Sequence, residues 1–197
     1  MIVPLKKKEF LSNQRNKQRF IYLLANKLRV AGHAVSQANG DADLLIVKTA
    51  VQAARSHNSV LVGDDTDLLV LMLYHGEMDA NDLFFIPQPK QHSKTRRVWN
   101  IKKTKSALGL DVCSGILYMH ALLGCDTTSR VHGIGKGVAV KKFQKNALFR
   151  DQAKVFNNTA ASKDEVIAAG ERSLVCLDLQ WFAYRVSQFL TIYTLLS

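Results

Sequence analysis

The sequence predicts an α/β fold in which a parallel sheet is covered by helices on both faces, and three observations predict it. Short β-branched runs alternate with stretches whose apolar residues recur every three or four positions, the order of a doubly covered parallel sheet. The chain's 197 residues, 47% of them hydrophobic, supply one core of ordinary domain size. Acids gather at the ends of those runs: twelve of the sixteen are Asp, and five of the twelve lie between Asp41 and Asp67. In an open parallel sheet, functional groups collect at that carboxyl edge of the strands.

Taken in order, Ser12 to Arg29 carries Phe20, Ile21, Leu23, Leu24 and Leu28 at helical spacing, with Lys and Arg opposite, and predicts a basic amphipathic helix that Gly32 can end. Ala34 to Ala38 is short enough for a strand leading into Gly40. A second helix is expected from Asp41 to about Ser56, with Leu44, Val47, Val51 and Ala54 on one face. Ser59 to Val62 predicts a strand and Asp64 to Leu73 an apolar helix. Leu83 to Pro87 and Arg96 to Ile101 predict two more strands. Helices follow at Val112 to Leu123, near Val138, and from Ala160 to Gly170, where Ser162 and Glu165 have the spacing of a capping box.

The net charge of +11 favours a polyanionic partner, although a basic surface also serves solubility alone. Lys90 to Lys105 holds seven Lys or Arg and no acid, which suits either a charged hairpin edge or a phosphate contact surface. Three cysteines, Cys113, Cys125 and Cys176, without a CxxC pair indicate neither a disulfide framework nor a zinc ribbon, and point to a reducing, intracellular setting. No apolar run is long enough to span a bilayer, so no membrane partner is expected. Lys6, Lys7 and Lys8 form a weak nuclear address or a solvated start. None of the six histidines has metal-site spacing, and His120, on an apolar helix, is expected to pack rather than to ligate.

The run VLVGDDTDLLVLMLYH, residues 60 to 75, inserts Asp64, Asp65 and Asp67 into apolar surroundings, where carboxylates repel one another and call for a nearby cation. Asp41 and Asp43, Asp65 and Asp67, and Asp126 each follow the end of an expected element, so all can meet in one cleft. Mg²⁺ or Mn²⁺ would offset such a set, since hard cations take oxygen ligands. Two ions about 4 Å apart can serve the attacking and leaving oxygens of a phosphodiester. Each acid alone has a plainer role: Asp41 and Asp43 at a helix start, Asp64 as an N-cap, Asp126 in a turn.

The segments GDADLLI, VGDDTDLLVL and LLGCDTTSRVHGIGKGVAVKKF, in this order, resemble the nuclease motifs of the flap endonuclease and XPG group in the PIN-like superfamily, and especially its uncharacterised invertebrate members. The resemblance implies a three-layer PIN-like (5'-3' exonuclease-like) sheet and Mg²⁺- or Mn²⁺-dependent, structure-specific hydrolysis of nucleic acid, DNA rather than RNA. It implies Asp41, Asp43, Asp65, Asp67 and Asp126 as catalytic metal ligands. It also makes 124–145 a helix-hairpin-helix-like contact, in which Gly133, Ile134 and Gly135 approach the backbone, with K⁺ at the turn, and Lys136, Lys141, Lys142 and Lys145 add charge. A nuclear location accords with such a substrate.

The likeness spans about Asn16 to Phe143 of a single expected domain, 1–197, with a core at about 16–145. The family's first, Asp-bearing strand has no counterpart in Met1 to Phe10, which offers only Glu9, and the apolar tail 176–197 departs from the pattern. Both ends are those expected of a fragment. A catalytically impaired nucleic-acid-binding module derived from such a nuclease is therefore the alternative expectation.

Overall fold

A computed structural model describes residues 7–88, 97–125, 128 and 134–177. The chain divides into two compact units, Met1–Ala42 and Asp43–Ser197.

The first unit is a helix pair, α1 (Lys7–Ser12) and α2 (Gln14–Val30). They separate at Asn13, whose side chain accepts hydrogen bonds from the backbone N–H groups of Arg15 and Asn16 and so restarts the helix. At the far end Gly32 adopts φ 85°, its N–H bonds to Arg29 O, and the N–H of His33 reaches back to Leu28 O. That pair of bonds closes the last turn, and the left-handed backbone explains the glycine. Only Ala25 of α2 is buried; Phe20, Tyr22, Leu23 and Leu24 are largely exposed. The strand expected over Ala34 to Ala38 is irregular chain instead. With Val35 its one β-branched residue, the segment has little to pack on a sheet.

The second unit begins with α3 (Asp43–Ala54), two residues later than expected, then β1 (Ser59–Gly63), α4 (Thr66–His75), β2 (Leu83–Pro87) and a two-residue β3 (Trp99–Asn100). β1 and β2 pair in parallel from Ser59 beside Leu83 to Gly63 beside Pro87, while β2 and β3 are antiparallel, so the sheet is mixed. Ile101 opens a helix rather than extending a strand, because the Asn100 side chain accepts from the N–H of Lys103 at 3.0 Å. The remaining helices are α5 (Ile101–Leu108), α6 (Leu110–Ser114), α7 (Ile116–Leu123), α8 (Lys136–Lys145), α9 (Ala147–Phe156) and α10 (Lys163–Cys176). The helix expected over Val112 to Leu123 is thus two, broken at Gly115, and α5 and α9 are helices that apolar spacing did not disclose.

One apolar cluster joins Val47 and Val51 of α3, Leu61 of β1, Leu68 and Met72 of α4 and Phe85 of β2. A second joins Tyr118 of α7, Phe143 of α8, Phe149 and Phe156 of α9, and Val166 and Leu174 of α10, and Leu108 packs against both clusters. The buried Tyr118 hydroxyl donates to Ser173 Oγ, which donates in turn to Ala169 O at 2.8 Å; burial pushes the phenol far above its ordinary range. Along β1, Ser59, Leu61 and Gly63 are buried while Val60 and Val62 are 56% and 60% exposed. Among the described residues, helices therefore cover one face of this strand, not both. No described helix is long and apolar enough to cross a membrane.

Candidate functional site

β1 ends at Gly63, and the turn Asp64-Asp65 leads directly into α4. Asp65, not Asp64, is the N-cap: with φ −94° and ψ 133° its Oδ1 accepts from the backbone N–H of Asp67 at 2.9 Å. The carboxylate satisfies one of the donors a helix start leaves without an intrahelical acceptor. Asp67 follows in the first turn, where the helix dipole favours an anion. Both acids thus stand at the carboxyl end of a parallel strand, as expected.

Helices α7 and α8 bring a histidine and a lysine toward this acidic run. His120 of α7 brings Nε2 within 3.1 Å of Asp67 Oδ1, with the two side chains 12% and 25% exposed. The approach is out of line for a hydrogen bond, so the buried Nε2 has none among the described residues and the contact is chiefly electrostatic. On the other side of the ring, Nδ1 lies 3.4 Å from Lys136 Nζ at the start of α8. Asp67, His120 and Lys136 come from positions too far apart in sequence for any motif to join them. From the sequence His120 is expected to pack on an apolar helix, and no signal there points to Asp67.

Asp43 lies half-buried in the first turn of α3, in the second unit, and Asp41 is exposed in the first. Asp126 lies outside the described residues, as does Gly133. Among the described residues no three His, Cys, Asp or Glu side chains stand close enough together to hold a metal ion.

The basic side is more complete. Ile134 packs partly into the core, Gly135 caps α8, and Lys136, Lys141 and Lys145 are exposed along that helix, with Lys142 half-buried. Gly135 has φ −80° and ψ 147°, open to any residue, and a side chain there would meet nothing within 4 Å. Among the described residues nothing demands glycine at this exposed turn. Lys141, Lys142 and Lys145 flank a groove of about 540 Å³ whose apolar lining includes Val138 and Leu148.

The basic run Lys90 to Lys105 divides over its described part: Arg97 and Lys103 are exposed, whereas Lys102 and Lys105 turn inward. Lys102 Nζ donates to Ala80 O, and Lys105, buried, donates to Gly76 O at 2.6 Å, so both lysines hold loop carbonyls. Cys113 is buried, and burial pushes its thiol up, away from the thiolate a nucleophile needs. Comparison with protein-family models, with curated proteins and with solved structures gives no match.

Proposed function

We propose that this chain binds nucleic acid, DNA in preference to RNA, as a module of the three-layer PIN-like, flap endonuclease and XPG type. The observation that carries this reading is α8, which presents Lys136, Lys141 and Lys145 to solvent behind a glycine turn that no contact among the described residues requires. Phosphates are drawn by such a surface through charge and counterion release. The turn's backbone N–H groups have no intrahelical acceptors and add donors where a side chain would obstruct approach. A net charge of +11 gives the long-range attraction, and a nuclear setting suits it.

A second reading, Mg²⁺- or Mn²⁺-dependent hydrolysis of phosphodiesters, is favoured by one observation: Asp65 and Asp67 occupy the carboxyl end of β1 ahead of α4. A bound hard cation would supply charge neutralisation at the phosphate and an activated water. Binding is the primary function proposed, because α8 presents its exposed lysines as a surface.

The test is binding of labelled duplex, single-stranded DNA and RNA in EDTA across a salt series. The expected result is metal-independent binding in which log K falls by about 0.9 per log unit of salt for each phosphate contacted on duplex DNA. Changing both Lys141 and Lys145 to Ala is expected to reduce that slope by about 2. Salt-insensitive binding, or none, overturns the proposal. Cleavage that needs Mg²⁺ and is lost in Asp65→Asn and Asp67→Asn would carry the second reading.

A further inference from the structure

We infer that Asp67, His120 and Lys136 form a positioning chain that seats the Lys136 ammonium at the first turn of α8, with His120 as its central member. Three facts of geometry carry this. The members come from α4, α7 and α8, all in the second unit, and α7 packs against both of the other helices. The distances are 3.1 Å from Asp67 Oδ1 to His120 Nε2 and 3.4 Å from His120 Nδ1 to Lys136 Nζ. Nε2 is shut off from solvent, so its polar need can be answered only from within the protein.

The chemistry gives the chain a direction. An ammonium has donors and no lone pair, so Nδ1 facing Lys136 must be the accepting nitrogen. The proton of a neutral ring then sits on Nε2, the side that faces Asp67. Carboxylate, imidazole and ammonium lie in electrostatic order, acid to base, so the Lys136 charge stands in line with Asp67. Lys136 gains from the same arrangement. A lysine on an exposed first turn samples many rotamers, and ordering it before a phosphate arrives lowers the entropic cost of the contact.

For its binding arm this inference rests on the proposed nucleic-acid reading; for its stability arm it stands alone. The stability arm uses the full chain in EDTA and double-mutant cycles in denaturant, pairing Asp67→Asn with His120→Ala and His120→Ala with Lys136→Met. Each double variant is expected to lose less than the sum of its singles, in both pairs. Additivity in either pair overturns the chain. If His120→Ala does not fold, the cycle of Asp67→Asn with Lys136→Met decides in its place: coupling supports the inference and additivity overturns it.

The binding arm measures metal-free affinity for a duplex. His120→Ala is expected to weaken it by about threefold to tenfold, although His120 is set back from the surface. His120→Asn places an amide oxygen where Nδ1 stands and is expected to restore affinity. His120→Gln, whose amide nitrogen instead stands near Nε2, is expected to restore the coupling to Asp67 but not the affinity. An Asn variant no better than Ala overturns the inference. If the wild-type chain shows no DNA binding, the nucleic-acid reading fails, and the denaturation cycles alone uphold or overturn the chain.

Discussion

Lys105 is a cation with little access to water, and its ammonium is committed to the carbonyl of Gly76, the residue that caps α4. A charged donor to a helix-end carbonyl is worth about 1.5 to 3 kcal/mol. Lys105→Met keeps the stem and leaves that carbonyl without its donor, so an equilibrium denaturation should register a loss of that order. His75, the last residue of α4, is held below its ordinary range by burial first, then by the charges of Lys48 and Lys105. A histidine with a lowered folded pKa binds fewer protons than the unfolded chain does. Its contribution is therefore complete above about pH 6.5, the unfolded value, and is lost as pH falls toward the folded pKa. Stability measured from pH 7.5 to 5 should decline more in wild type than in His75→Gln. Neither residue is conspicuous in the sequence: Lys105 closes a run that looks uniformly solvated, and burial is what separates it from its neighbours.

At the scale of elements, local chemistry sets boundaries that periodicity alone misplaces. Ser162 and Glu165 make the expected capping box, the Ser hydroxyl accepting from the Glu165 N–H at 3.3 Å and the carboxylate accepting from the Ser162 N–H at 2.7 Å. Ser162→Ala should cost about 1 kcal/mol, visible as a lower denaturation midpoint. Gly115, by contrast, marks a break that apolar spacing hides. A Cβ there would lie 2.3 Å from Phe143 Cζ, in a ring with no exposure. Gly115→Ala is expected to destabilise by about 1 to 3 kcal/mol through overpacking, as thermal unfolding would report. The capping box was legible because all its atoms lie within four residues. The split between α6 and α7 was not, because the reason for it sits on α8, whereas the strand expected at Ala34 to Ala38 fails for a reason the sequence does show, its single β-branched residue.

For the whole molecule, order and type of the elements from α3 to β2 follow from the sequence, since each is fixed by contacts between neighbours in the chain. The candidate site was legible only in part. Asp65 and Asp67 at the strand end, and the basic helix after Gly135, stand where spacing places them. Their link through His120 depends on how α7 lies between α4 and α8, which is a matter of tertiary packing. The acids of residues 41 and 43, close together in sequence, fall to different units. Charge is the property that composition forecasts most directly, and it also governs the open border of β1. Among the described residues that strand has β2 on one side and no strand on the other, and it shows Val60 and Val62 outward. Such a border is a template on which a further copy could lay its own backbone, and mutual repulsion between highly cationic copies would oppose that pairing. Raising the salt should therefore increase light scattering from concentrated solutions, and Val62→Lys, a gatekeeper placed on the strand itself, should suppress the rise.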